Sequence, residues 1–191
     1  MKTSTSSRYG SVTQIFHWLT AVLVLAAFIL GPGGSELRVY LPARDFERQM
    51  HETLGLLVFA LTFLRVLWRV MDKQPAPVEM PPWMHLMSKA AHGGLYLLLL
   101  AVPVSAIVGA WLQGHPLTLL AGIEIAPKLA MSHDLGNTIA EIHGWLGDLI
   151  LWGAGLHAVA AIYHHLFLKD GVLVSMLPRW ASSMLPDIAT H

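Results

Sequence analysis

Four long runs of apolar residues dominate the chain, at about 12–30, 49–70, 90–112 and 139–168. Each is close to the roughly 20 residues that a helix needs to cross the hydrocarbon core of a bilayer. Turn-forming or charged residues separate the runs, such as the Gly-Pro-Gly-Gly stretch at 31–34. The pattern predicts an all-α membrane protein, a bundle of four transmembrane helices, forming one domain over 1–178 with a tail over 179–191.

The starts of the first and fourth runs carry polar pairs in capping-box spacing. The first run opens with Ser11 and Gln14, and the fourth opens with Thr138 and Glu141. In this motif the first side chain accepts a hydrogen bond from a free backbone N–H of the first turn, and the second side chain accepts one from the backbone N–H of the first residue. The spacing predicts helices that begin at these residues. The first run could instead be a cleavable signal peptide, but no A-x-A-like cleavage site follows it.

Composition places the chain in a lipid bilayer. The chain has 191 residues, of which 54% are apolar and only 13% charged, and its mean hydropathy is +0.55. Acidic and basic residues balance at twelve each, so no basic surface indicates a nucleic-acid partner. Cysteine is absent, which excludes disulfides, thiolate metal sites, iron–sulfur clusters and covalently attached c-type haem. The eleven histidines are therefore the main supply of metal ligands.

Basic residues predict the orientation of the four spans. Threading the runs through a membrane places the larger group of basic residues on the side of both chain ends, and that side is expected to be cytoplasmic. The protein is then a multi-pass membrane protein with both termini cytoplasmic. The larger group is Lys2, Arg8, Arg65, Arg69, Lys73, Lys89, Lys169 and Arg179, and the smaller is Arg38, Arg44, Arg48 and Lys128.

The most informative spacing is that of His143 and His157, which lie fourteen residues apart in the fourth run. Fourteen residues make almost four helical turns, so both imidazoles leave one face of the helix, roughly 21 Å apart along its axis. His17 and His51 lie near the starts of the first and second runs. If those two helices are antiparallel, His51 pairs with His143 near the outer surface, and His17 pairs with His157 near the inner surface.

Two imidazole pairs at two membrane depths predict two haem b groups, each held noncovalently between two histidines. Polar side chains at membrane depth are costly, and they normally face the bundle interior and carry function. Bis-histidine ligation leaves the iron six-coordinate, which suits single-electron transfer rather than oxygen activation. His92 is the chief rival for a ligand position. A metal-ion transporter could use the same histidines, although such pathways favour carboxylates alongside imidazole.

Several other residues are predicted to join these sites. Arg65 follows His51 by fourteen residues and so returns to the same face at the inner level, where it could bind a haem propionate. The alternative for Arg65 is a side chain that reaches the membrane surface to place its charge in water. Small residues would let helices or a flat macrocycle approach closely. They are Gly93, Gly94, Gly144, Gly147, Gly153 and Gly155.

His164 is the candidate catalytic residue. It follows His157 by seven residues, two turns nearer the cytoplasm on almost the same face. A quinone headgroup could there accept a hydrogen bond and a proton. His92 and Trp18 are expected to come from neighbouring helices at a similar level. The alternative is that His164 and His165 are simply polar residues at the membrane interface.

The chain resembles the bacterial cytochrome b-561 family over about 9–178. The residues that carry the resemblance are His17-Trp18, His51 with Arg65, His92 followed by Tyr96 and Pro103, His143, Gly155-Leu156-His157, and His164-His165 before Lys169-Asp170. Members are four-helix di-haem membrane cytochromes that exchange electrons with ubiquinone, and one branch oxidises superoxide. The resemblance implies the four histidine ligands named above and contact between His164 and ubiquinone.

Two functions from different classes follow. The first is a superoxide oxidase-like enzyme that passes single electrons from an outer-side donor, with superoxide as the candidate, to membrane ubiquinone. The second is an electron relay or anchor for a periplasmic dehydrogenase, hydrogenase or soluble cytochrome. Superoxide is an anion, and the outer loops and helix ends hold more acidic than basic residues, so the sequence does not predict a basic funnel.

Overall fold

The computed structural model describes residues 8–72, 75 and 78–184. Lys2, Lys73 and the predicted tail beyond 184 lie outside the described residues. In chain order the helices are α1 (Ser11–Ile29), α2 (Glu36–Val39), α3 (Asp45–Met71), α4 (Pro82–Leu112), α5 (His133–Tyr163), α6 (Val172–Met176) and α7 (Arg179–Ser182). Two short strands, β1 (Leu117–Leu119) and β2 (Ile123–Ile125), lie between α4 and α5. A π-helical turn, His164–Leu168, continues α5.

The prediction of four membrane-spanning helices is confirmed. α1, α3, α4 and α5 are each long and apolar enough to cross a bilayer. Most of their large apolar side chains face outward, as expected of helices that are apolar all round and contact lipid. α4 begins at Pro82, well before the predicted start near 90, because proline suits the first turn of a helix.

Both predicted capping boxes are wrong. α1 follows Gly10 and has no side-chain cap, and the Gln14 amide donates instead to Ser175 O (3.2 Å) and Leu177 O (3.1 Å). α5 begins at His133, so Thr138 lies inside the helix, where its hydroxyl donates to Asp134 O (2.9 Å). In the first case a tertiary hydrogen bond has replaced the local one. In the second the helix extends past the predicted boundary.

Neighbouring long helices run antiparallel, as the sequence predicted. The start of α1 meets the end of α3, where the Thr13 hydroxyl donates to Asp72 Oδ2 (2.7 Å) and receives the Trp68 indole N–H (3.2 Å). The end of α4 meets the start of α5, where Gln113 Nε2 donates to Asn137 Oδ1 (2.8 Å). The chain therefore returns to the same surface after each pair of spans.

A β-hairpin marks one end of the bundle, which we call the hairpin end. β1 and β2 pair antiparallel, in a segment for which the sequence analysis predicted no strand. The hairpin is anchored to α3, since the Glu52 carboxylate accepts from the N–H of Thr118, and the Thr53 hydroxyl accepts from that of Leu120. The opposite end, where α1 begins and α6 lies, is called the tail end.

The buried apolar core lies midway between the two ends. Its centre is Val58, Leu99 and Ile150, one from each of α3, α4 and α5. Val58 follows His51 by seven residues, and Ile150 lies seven residues from both His143 and His157. Seven residues are two turns, or roughly 10 Å of helix. The core is therefore an apolar layer with a histidine pair on either side.

Candidate functional site

Four of the predicted histidines meet as two pairs inside the bundle. The ring centres of His51 and His143 are 6.0 Å apart, and those of His17 and His157 are 6.3 Å apart. A metal ion holds an imidazole nitrogen at about 2.0 Å, and the ring centre lies roughly 1 Å further, so two imidazoles on opposite sides of one ion have centres about 6 Å apart. Both spacings fit two axial ligands of a haem iron.

At the hairpin end, backbone carbonyls fix the orientation of both imidazoles. The Nδ1–H of His51 donates to Ala27 O (2.7 Å), and that of His143 donates to Val102 O (2.9 Å). Such bonds set the tautomer and leave Nε2 as the free ligand nitrogen. Ser105 reinforces this arrangement, because its hydroxyl donates to the same Val102 O (2.8 Å). These two residues are therefore preorganised to bind a metal through Nε2.

At the tail end, charged and aromatic groups surround the pair instead. Nδ1 of His17 lies 3.5 Å from Nη2 of Arg65, whose guanidinium carbon is 5.2 Å from the Tyr96 ring centre. The Trp18 ring centre is 5.3 Å from that of His17. Arg65 thus lies at the predicted level, close to His17, which is a predicted ligand. Its contact with a haem propionate stays a prediction.

His92 also lies beside His157, with ring centres 5.2 Å apart. That separation is shorter than about 6 Å, the distance expected for two rings on opposite sides of one metal ion. The imidazole of His92 is exposed, and its Nδ1–H donates to Ser88 O (2.7 Å) within α4. His17 therefore fits the ligand role better than His92, although both are near His157.

The sequence suggested that the small residues let neighbouring helices pack closely. At most of these glycines, however, no neighbouring helix comes close. A Cβ added at Gly93, Gly144, Gly147 or Gly155 would meet no atom within 4 Å. Gly136 is different, because a Cβ there would lie 2.9 Å from Gln113 N at the α4–α5 junction. Gly147 is one turn from His143 on the same helix face, where the open space suits a flat macrocycle.

The tail-end surface is closed by α6, which is held against the start of α1. Trp18 Nε1 donates to Met176 O (2.9 Å), beside the two bonds from Gln14, and the N–H of Tyr9 donates to Ser175 O (3.1 Å). The indole N–H of Trp18 is thereby engaged by the backbone. Trp18 could contact a quinone through its ring but has no free donor for it.

His164 forms a carboxylate–imidazole pair that the sequence did not predict. Its Nδ1–H donates to Asp170 Oδ2 (2.5 Å). A separation of six residues does not correspond to one helix face, so no helical pattern indicates this contact. The neighbouring His165 is only 4% exposed, and among the described residues neither of its ring nitrogens has a hydrogen-bond partner.

Two of the four basic residues assigned to the hairpin end, Arg44 and Arg48, form ion pairs. Arg48 is 8% exposed and contacts the carboxylates of Asp45 and Glu52, each at 3.0 Å. Arg44 pairs with Glu47 at 2.6 Å. These pairings lower the positive potential that could attract an anion to this end.

An aromatic cluster completes that surface. The Arg48 guanidinium lies over the Tyr40 ring at 5.1 Å, and Tyr40 stacks on His115, whose Nε2–H donates to Glu36 (2.8 Å). Burial, with the negative charge of Glu52, raises the pKa of the Tyr40 phenol. The cluster links α2, α3 and the loop after α4 into one cap over the His51–His143 pair.

Within the described residues, no group of three or more histidine or carboxylate side chains is placed to hold a metal ion on its own. Each histidine pair offers two ligands, the number of axial positions that a porphyrin leaves open at an iron. The donor set therefore fits haem.

Known proteins match this sequence over nearly the whole chain. The model of the prokaryotic cytochrome b561 family matches residues 8–179. The chain is 30% identical to cytochrome b561 homolog 2 of Escherichia coli (strain K12) over 181 residues, 94% of this chain and 96% of that protein. It is 27% identical to probable superoxide oxidase CybB of Yersinia pestis over 175 residues, 90% of this chain and 97% of that one. Membership implies haem b in a multi-pass membrane protein. The chain belongs to the prokaryotic cytochrome b561 family.

Proposed function

We propose that the protein is a transmembrane di-haem b cytochrome that transfers single electrons between a donor at the hairpin end and ubiquinone at the tail end. The observation that carries this proposal is the two histidine pairs, with ring centres 6.0 and 6.3 Å apart, inside a four-span bundle. Bound between such pairs, haem supplies a reversible one-electron couple at each depth. The relative named as a probable superoxide oxidase supports superoxide as the small donor.

The residues of the chain have separate tasks in this function. His51 and His143 would hold one haem through Nε2 while their Nδ1–H groups remain bonded to Ala27 and Val102. His17 and His157 would hold the other at the tail end, where Arg65 could bind a propionate. The apolar layer of Val58, Leu99 and Ile150 excludes water and ions between the two sites. Electrons can therefore cross the membrane without a continuous path for protons.

His164 is the proposed quinone-contacting residue. It lies at the end of α5 beyond His157, and its side chain is 16% exposed, so a headgroup in the membrane interface could reach it. The count of basic residues favours the tail end as cytoplasmic. Ubiquinone would then be reduced near the cytoplasmic surface of the bacterial inner membrane, and the donor would act from the periplasm.

The test is spectroscopic and kinetic. Purified protein should show two low-spin b-type haems per chain. Stopped-flow mixing with superoxide should reduce them, and ubiquinone should reoxidise them. A colourless preparation would refute the cytochrome function. Two haems that superoxide does not reduce would refute superoxide as the donor and leave electron transfer intact.

A second candidate is an electron relay or membrane anchor for a periplasmic dehydrogenase, hydrogenase or soluble cytochrome. The ion pairs of Arg44 and Arg48 favour it, because they remove positive potential that would draw superoxide to the hairpin end. If the protein is such a relay, a redox partner should co-purify with it and reduce the haems. The isolated protein should then not turn over superoxide.

A further inference from the structure

We infer that Asp170 is a positioning residue for His164 and fixes which ring nitrogen meets the quinone. This inference rests on the proposed function, because it concerns the same quinone site. With Nδ1–H donated to the carboxylate, Nε2 is the nitrogen left to exchange a proton with the headgroup. Asp170 itself is not placed in contact with the quinone.

Both oxygens of the Asp170 carboxylate are engaged. Oδ2 accepts from His164 Nδ1 (2.5 Å), and Oδ1 accepts from the N–H of Val172 (3.0 Å). The backbone N–H of Asp170 donates to His164 O (3.3 Å). The side chains are only 16% and 18% exposed. Three bonds in a half-enclosed setting hold this pair in one geometry.

An unusual backbone brings the two residues together. α5 widens into the π-helical turn His164–Leu168, and Lys169 then adopts the left-handed conformation with φ 53° and ψ 39°. A residue with a Cβ is strained in this region, so it persists where the surroundings hold it. Single π-helical turns occur frequently at functional sites. Here the turn reverses the chain so that Asp170 returns to the imidazole.

The segment after Asp170 is tied to a different helix. α6 begins two residues later, and the carbonyls of Ser175, Met176 and Leu177 accept hydrogen bonds from residues at the start of α1. The carboxylate is therefore fixed relative to α1, which carries His17. Because the carboxylate in turn orients His164, the His164 ring is also held in a fixed position relative to the tail-end histidine pair.

The pair supplies the protons that reduction of a quinone requires. Protonated at Nε2, His164 donates that hydrogen to a quinone oxygen: the N–H bond breaks, an O–H bond forms, and the electron comes from the outer-side donor. Water at the tail-end surface then returns the proton to Nε2. Two such rounds supply the two protons and two electrons that convert a quinone to a quinol.

Asp170→Asn is the informative substitution. An amide has one acceptor oxygen, so it cannot accept from both Val172 N–H and His164 Nδ1–H. If the oxygen stays on Val172, the NH₂ group faces Nδ1 and cannot accept from Nδ1–H, so the doubly protonated ring that donates from Nε2 loses the partner that stabilises it. We expect ubiquinone-dependent reoxidation of the reduced, haem-loaded protein to slow at least tenfold, with KM changed by less than about threefold. Haem content and spectrum should stay as in the wild type.

A double-mutant cycle separates positioning from folding. In a His164→Ala background, Asp170→Asn should cause no further slowing, because the group through which it acts is gone. Asp72→Asn is the matched control, since Asp72 lies at the same end and accepts from Thr13. It should leave the rate unchanged. If Asp170→Asn does not yield haem-loaded protein, Asp170→Glu replaces it and should retain at least a third of the rate, because a carboxylate still accepts from Nδ1.

Three results would overturn the inference. A wild-type rate for Asp170→Asn would show that the carboxylate is not needed. Equal slowing with and without His164 would show that Asp170 acts on the fold. A wild-type rate for His164→Ala would remove both the inference and the proposed quinone site. Failure of the cytochrome function is distinguishable from all three, because it appears in the haem count and the donor step.

Discussion

The two ends of the bundle hold histidine pairs of nearly equal separation in very different surroundings. At the hairpin end, the Nδ1 atoms of His51 and His143 are bonded to backbone carbonyls of neighbouring helices. At the tail end, His17 faces the Arg65 guanidinium, and His92 approaches His157 as closely as 5.2 Å. One pair is fixed by neutral backbone dipoles, and the other lies among a cation and a third imidazole.

The difference indicates different demands on the two sites. A ligand whose N–H is held by a carbonyl is locked in tautomer and orientation, so the hairpin-end site is rigid and its electrostatics are fixed by the fold. The tail-end site has an additional imidazole, a guanidinium and the His164–Asp170 pair within reach of the surface. These titratable and charged groups are consistent with the proposed quinone site at this end, where charge and hydrogen bonds would change as the quinone binds or leaves.

The largest expected effect comes from removing a predicted haem ligand, in one variant at the hairpin end and in another at the tail end. His143→Ala and His157→Ala should each reduce the haem content from two per chain to about one, because a six-coordinate haem loses one of its two protein ligands. A haem assay on purified protein with visible spectra of the remaining centre measures this. His85→Ala serves as the control, since His85 lies in the first turn of α4, and should retain both haems. Loss of both haems from either variant would contradict two independent sites.

The next effect separates His17 from His92 as the partner of His157. His17→Ala should lose the tail-end haem, whereas His92→Ala should retain both haems, because only the His17 separation fits two imidazoles on one iron. The same haem assay decides between them. Retention of two haems by His17→Ala with loss of one by His92→Ala would reassign the ligand pair.

A smaller effect is expected for Arg65→Gln. A nearby positive charge destabilises the more positive, oxidised state of a haem and so raises its reduction potential. Removing the charge should lower the midpoint potential of the tail-end centre by a few tens of millivolts, where 59 mV is a tenfold change for one electron. The hairpin-end centre should not move. Arg69→Gln, one turn further along α3, is the control in the same potentiometric titration.

The smallest effect is expected for His165→Leu. A buried polar group without a partner costs about 1–3 kcal/mol, and leucine of similar size would remove that cost. Thermal unfolding in detergent should therefore occur at the same temperature or a slightly higher one, with both haems retained. A clear fall in the unfolding temperature would show that the His165 imidazole makes a stabilising hydrogen bond in the folded protein.

The sequence predicted the parts of the molecule that depend on helical periodicity. The four spans follow from apolar runs of sufficient length, and the approach of His51 to His143 follows from antiparallel helices with ligands at matching depths. Helix starts were less predictable. Gln14 could bond locally or across the bundle, and only the position of α6 decides that it reaches Ser175 and Leu177.

The Asp170 contact could not be predicted from periodicity. It depends on a π-helical turn and on Lys169 in the left-handed conformation, and lysine is not a residue type that signals this conformation. The hairpin after α4 was missed for a related reason. Its turn needs Ala121 at φ 70° beside Gly122 at φ 74°, and two three-residue strands are too short to give a clear alternating pattern.

The placement of Val58 and Ile150 at whole multiples of seven residues from the ligands constrains how this chain can change in length. One residue inserted between His143 and His157 would rotate the second imidazole by about 100° around α5. The same holds for α3 between His51 and Arg65. Insertions and deletions should therefore be confined to the connecting loops, because the spacing within α3 and α5 sets which side chains face the two histidine pairs.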